Sequence, residues 1–170
     1  MTGSTKPTSP VDQNELRTNQ VIGSVLLLIA FILDRWEWVA IQASILFIAT
    51  LVPSLTPYRL IYLYLLQPVG LLKPDLRNDR RAAHRFAMLL GFILTATATY
   101  LLAAGYSQIG WTLVWLVITL TAIAALGWCP GCFTYYTLNR LGLSRFFKYG
   151  PIACTIPGAR PPKTTNHLTN

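Results

Sequence analysis

Charge is scarce in this chain. Only 12% of its 170 residues are charged and 53% are hydrophobic, where a soluble domain carries about 25% charged residues. With a mean hydropathy of +0.45, there is too little charge to clothe a water-facing surface, so the composition indicates an integral membrane protein. Acid is scarcer than base: six Asp+Glu stand against 14 Lys+Arg, a net charge of +8. The basic residues flank apolar runs, which is the topology signal of a membrane protein and not a nucleic-acid face. Ionisable side chains are missing from the interior of every long apolar run, which argues against an ion-coupled transporter. The N-terminal stretch "MTGSTKPTSPVDQNELRTNQ" lacks a charged region leading into an apolar core, so no cleavable signal peptide is expected. Residues 1–17 read as a polar, disordered tail.

Four apolar runs are present. They predict helices over 18–33, 38–56, 86–106 and 109–128, each near the ~20 residues needed to cross a bilayer. The joints "DRWE" and "SQ" are so short that they force two antiparallel hairpins. Trp36, Trp38, Tyr106, Trp111 and Trp128 lie near the helix ends, where aromatic side chains favour the headgroup region. Small residues such as Gly23, Ser24, Gly91 and the run Thr95 to Thr99 suit close helix packing. All of the 14 Lys+Arg except Arg35 fall before the first helix, between the second and third, or after the fourth. Both termini and the central loop are therefore expected in the cytoplasm.

Two further segments read as interfacial helices on that face. The first, 58–72, is too apolar for water and too short to span. The second, 133–149, places a polar stripe containing Arg140, Arg145 and Lys148 opposite Phe133, Tyr136, Leu143 and Phe147, as a helix lying on an anionic leaflet would. Arg77, Arg80, Arg81 and Arg85 add to this basic surface, which is expected to face lipid or a partner. Together with the four spans this gives an all-α membrane domain over 18–149, followed by a disordered tail over 150–170.

Cysteine is nearly absent, and two of the three cysteines stand as Cys129-Pro130-Gly131-Cys132. Thiols at this spacing can close a small disulfide ring. If Cys129 caps a following helix, Pro130 takes the first helical position, and the helix dipole lowers the Cys129 pKa. In that case Cys129 is the attacking thiol and Cys132 the resolving one; the leading alternative is that the two are inert small hydrophobes at a helix break. A cytoplasmic location argues against a permanent disulfide and against oxidation of exported proteins. Metal binding needs further ligands. Only Cys154, His84 and His167 are candidates, and His84 stands among arginines as a solvated interfacial residue, so no metal and no cofactor is expected. Asp12, with Asn14 and Asn19, either caps the first helix or ties the N-terminal segment to the central loop, the cap being preferred. No Ser-His-Asp grouping or Gly-rich phosphate loop is present.

The stretches "VDQNELRTNQ", "PYRLIYLYLLQPVGLLKP", "RFAMLLGF" and "GWCPGC" followed by Tyr, in that order from about Val11 to Leu143, resemble the DUF4395 family of small bacterial membrane proteins. The ending is also similar to that of DUF2892 membrane domains, some of which are joined to rhodanese-type sulfur-transfer domains. The resemblance implies a four-helix membrane domain ending in a cysteine motif, and no activity. Taken with the missing catalytic groupings, the leading expectation is a structural, accessory or assembly subunit, contacting the bilayer and a membrane-protein partner or a second copy. The alternative is a cytoplasmic-face thiol-disulfide or sulfur-carrier protein. A small-solute channel along the Thr-rich face of the third helix is a further alternative.

Overall fold

The computed structural model describes residues 9–52, 57–62, 64, 75–79, 81–141 and 157–159. Among these the chain is helical, apart from a two-stranded ribbon: β1 (Ser9–Asp12), α1 (Gln13–Ile32), α2 (Trp36–Leu51), α3 (Pro57–Ile61), β2 (Leu76–Asp79), α4 (Arg81–Ala103), α5 (Ser107–Leu126) and α6 (Pro130–Arg140). Three helices are long and apolar enough to cross a membrane: α1, α4 from Ala82, and α5. The fourth apolar helix, α2, has 16 residues. At 1.5 Å per residue it is about 24 Å long, short of the ~30 Å hydrocarbon core.

The four long helices close a ring in which α1 packs on α2, α2 on α4, α4 on α5, and α5 back on α1. Leu27, Ala30, Val39, Ala98, Val114, Val117 and Ile118 form the shared core. Small side chains permit the close approach. A Cβ on Gly110 would meet Leu102 Cγ at 2.6 Å, and the hydroxyls of Ser24 and Thr121 meet at 2.8 Å. Outward faces remain apolar: Val25, Ile32, Phe47, Leu51, Ile93, Leu116 and Leu126 are exposed, and only 11% of the most apolar window of α4 is buried. Apolar surface on this scale suits a lipid solvent.

Cross-helix hydrogen bonds fix the directions. The Arg17 guanidinium, at the start of α1, donates to the Ala125 carbonyl at the end of α5 (3.1 Å). Arg85, near the start of α4, donates to the Thr50 carbonyl at the end of α2 (3.1 Å). At the other end of the bundle, the Trp111 indole donates to Asp34 (3.0 Å). Each arginine satisfies a helix-end carbonyl that lacks an intrahelical partner. One end of the bundle therefore gathers the start of α1, the end of α2, the start of α4, the end of α5 and all of α6.

Element starts differ from the sequence expectation. The first helix begins at Gln13 and not at residue 18, and residues 9–12 form a strand and not a loose tail. Asp12 is the reason. Its carboxylate accepts from Asn14 N (2.9 Å) and Asp75 N (3.1 Å) and from the Tyr62 hydroxyl (2.7 Å). One side chain thus caps α1 and also ties the ribbon to the central loop, so both readings of Asp12 hold. The third helix begins at Arg81 and not at residue 86, because its polar first turn lies outside the apolar run. The second begins at Trp36, and residues 53–56 of its expected span lie outside the described residues, as do 63 and 65–72 of the first interfacial helix and 142–149 of the second.

Candidate functional site

The site grows from the end of α5. Gly127 closes that helix in the left-handed region (φ 116), its N–H bonded to Ala124 O, the geometry glycine tolerates best. The chain turns at Trp128 and re-enters a helix at once, with Cys129 as the N-cap of α6 and Pro130 at the first helical position. The Cys132 N–H donates to Cys129 Sγ at 3.3 Å, so the sulfur does the capping that Ser or Asp usually performs. Gly131 is pressed against α4: a Cβ there would lie 2.6 Å from Ala87 Cβ and 2.8 Å from Ala87 Cα. The Pro-Gly order thus has a local cause, since proline suits the helix start and glycine permits the contact.

Both cysteines are free thiols. Cys132 is 4% exposed and packs with Ala83, Tyr135 and Tyr136 in the α4–α6 interface. Its sulfur lies 3.7 Å from His84 Nδ1. Cys129 is half-buried, and its pKa is lowered from 9.0 to about 7. The hydrogen bond from the Cys132 side chain contributes most, burial opposes it, and the Cys132 N–H, His84 and the Gly131 N–H add to the lowering. This is the asymmetry a dithiol needs, with one sulfur ionising near neutrality beside a more deeply buried neighbour.

A segment from the C-terminal region covers the pair. Cys129 N–H donates to Gly158 O at 2.8 Å, and Trp128 bridges to Ala159. Gly158 has φ +84 and is buried, and a Cβ on it would meet both Cys129 O and Phe133 Cβ at 2.9 Å. Residues 157–159 are thus docked against the site, where the sequence suggested a disordered tail over 150–170. The glycine that permits the approach stands in a stretch whose prolines and polar residues hide it.

Two cavities meet at the thiols. A cleft of ≈ 40 Å³ lies between Gln13, Gln20, His84, Cys129, Cys132 and Gly158. A larger one of ≈ 250 Å³ runs from the site into the bundle. Leu16, Gln20, His84, Ala124 and Cys129 line both, so the thiol site opens into the helix interior.

The other expected residues divide. Arg85 and Arg140 are exposed at this end of the bundle. Arg77 lies in β2 and Arg81 opens α4. Arg80, Arg145, Lys148, Cys154 and His167 lie outside the described residues, among which no group of three or more His, Cys, Asp or Glu could hold a metal. His84, read from sequence as solvated, is half-buried beside Cys132. It lies 48 residues away in the chain, so nothing local in the sequence pairs them. Gln20 and Asn19 were equally hidden as polar residues opening an apolar run. The threonines behind the channel reading are satisfied within their own helix: Thr95, Thr97 and Thr99 donate to the carbonyls of Gly91, Ile93 and Thr95 at 2.6, 2.8 and 2.9 Å.

No curated protein and no solved structure matches the chain. Residues 11–140 match the family described as Domain of unknown function (DUF4395); that is most of the 170-residue chain, and the protein belongs to this family.

Proposed function

We propose that the protein is a membrane thiol-disulfide or sulfur-carrier protein. Its architecture in this reading is four spans in two antiparallel hairpins, with the Cys129/Cys132 pair at the cytoplasmic end. The α2 helix is the fourth span: it is apolar, packs between α1 and α4, and carries Trp36 and Trp38 at one end, the kind of anchor that lets a short helix cross with local thinning of the bilayer. The basic residues Arg17, Arg85 and Arg140 at the thiol end support a cytoplasmic orientation for that end and for both termini.

The observation that carries the reading is the capping geometry of Cys129. A sulfur at the N-terminus of α6, hydrogen-bonded by Cys132 and lowered to about 7, is a substantial fraction thiolate at neutral pH, and the thiolate is the nucleophile. An accessory or assembly role, the leading expectation from sequence, needs Cys132 only as a small buried hydrophobe and Cys129 only as the cap of α6, which does not call for a lowered thiol pKa.

The test is trapping. Cys132→Ala protein, incubated with oxidised glutathione at about pH 9 to offset the loss of the Cys132 hydrogen bond, is expected to accumulate a mixed disulfide on Cys129, read by peptide mass because Cys154 is also a thiol. The unsubstituted protein should instead release the glutathione and close the Cys129–Cys132 disulfide. If the folded Cys132→Ala protein forms no adduct while the denatured chain does, the thiol reading falls and the accessory role stands.

A further inference from the structure

The ≈ 250 Å³ cavity is unexplained by thiol exchange with a water-soluble partner, which would approach from outside. It is half open, and a smaller enclosed apolar cavity of roughly 150 Å³ already holds benzene. Its wall is mainly apolar, built from α1, α2, α4 and α5, with Leu27, Ile45, Met88 and Leu94 among the lining residues. The apolar outer faces of the same helices place it at the depth of a bilayer.

The wall also carries unmet polar demand. Asn19 Oδ1 and Gln20 Oε1 are buried without a hydrogen-bond partner among the described residues, and both side chains line the cavity. A buried acceptor left unpaired costs about 1–3 kcal/mol, so turning either side chain toward the cavity, where a ligand donor could meet it, would be favoured. By contrast Gln42, across the cavity, accepts from the Tyr58 hydroxyl. The occupant sought is thus an apolar molecule from the membrane that carries hydroxyl donors. The third observation is Cys129 itself, a redox-capable sulfur in the wall of the same cavity. A lipid tail or fatty alcohol would use the apolar wall and leave this sulfur without a role.

We propose that the cavity binds a membrane quinone and its hydroquinone, and that the Cys129/Cys132 dithiol reduces the quinone there. This rests on the thiol reading above and adds its electron acceptor. In the reaction, the Cys129 thiolate adds to a ring carbon of the quinone, forming an S–C bond and passing an electron pair to the ring oxygens. Cys132 releases its proton and attacks Cys129 Sγ. The S–S bond forms, the S–C bond breaks, and its electron pair leaves with the ring. The ring takes up two protons, one derived from Cys132 and one from solvent. The two sulfurs lose two electrons and the quinone gains them: thiolate, thiol, quinone and one proton become disulfide and hydroquinone. The hydroquinone bears the hydroxyls that Asn19 and Gln20 can accept.

The probe is a benzoquinone with a ten-carbon tail, added anaerobically to the reduced full chain in nanodiscs. Expected is loss of one quinone per disulfide formed, counted by quinone absorbance and by alkylation of the remaining thiols, and abolished in Cys132→Ala. Binding is read separately, as quenching of tryptophan fluorescence by the quinone in a Cys129→Ser/Cys132→Ser protein. Gln20→Leu removes one orphan acceptor and should weaken binding of the hydroquinone form at least tenfold, while thermal melting stays the same or improves. Gly91→Leu fills the cavity from α4, where a first carbon meets Leu46 at an ordinary 3.6 Å, and should weaken binding similarly. Glutathione exchange at Cys129 with no quinone binding overturns the proposal and leaves the thiol reading standing. Quinone binding without thiol oxidation overturns the electron-transfer step. Thiols inert to both reagents overturn the two readings together.

Discussion

At the scale of single residues, the two cysteines differ because their surroundings differ. Cys132 is packed in an interface, whereas Cys129 sits at a helix start and accepts hydrogen bonds. A lowered pKa means that the thiolate is favoured in the folded protein, so Cys129 reactivity should rise through about pH 7 and level off above it. The pH dependence of iodoacetamide alkylation, read by mass at Cys129, checks this. Cys132→Ala removes the largest cause of the lowering, and the midpoint should move upward toward the usual thiol range. His84→Gln removes a smaller electrostatic contribution and should move it in the same direction by less. An unchanged midpoint in Cys132→Ala would mean that the helix start, and not the partner thiol, sets the value. The C-x-x-C spacing and its N-cap were legible in sequence because they are local. His84 was not, because its role depends on α4 and α6 lying side by side.

At the scale of elements, hydrophobic runs located the long helices and mislocated their starts. The runs begin near 18 and 86, but α1 and α4 begin at Gln13 and Arg81, since a helix leaving the bilayer continues as a polar turn that hydropathy does not mark. These extra turns build the site: α1 brings Gln13 and Leu16, and α4 brings Ala83 and His84. The α4–α6 contact that completes it depends on Gly131. Gly131→Ala places a methyl 2.6 Å from Ala87 Cβ, and overpacking of this kind typically costs about 1–3 kcal/mol. The expected result is a lower thermal midpoint in detergent and a changed Cys129 alkylation rate. Pro130→Ala, at a position where proline is favoured but not required, should leave both nearly unchanged. Equal effects from the two substitutions would contradict tight packing at Gly131.

At the scale of the whole molecule, the chain is polarised. One end holds the ribbon, the Asp12 hub, α6, the docked residues 157–159 and both thiols. Among the described residues, the opposite end holds only the short α1–α2 and α4–α5 turns, with Asp34, Arg35 and Tyr106. Among the described residues Arg35 is the one basic residue at that second end, and because translocated loops are poor in Lys and Arg, that end is expected to face outward. The prediction uses one exposed position at each end in a cysteine-free background: Gln108→Cys at the start of α5, and Arg140→Cys at the end of α6. A membrane-impermeant maleimide should label Gln108→Cys in intact cells and Arg140→Cys only after the cells are opened. The reverse pattern would put the thiols on the outer side. Their partner would then be sought among exported proteins, and the quinone titration of the reduced protein would apply unchanged.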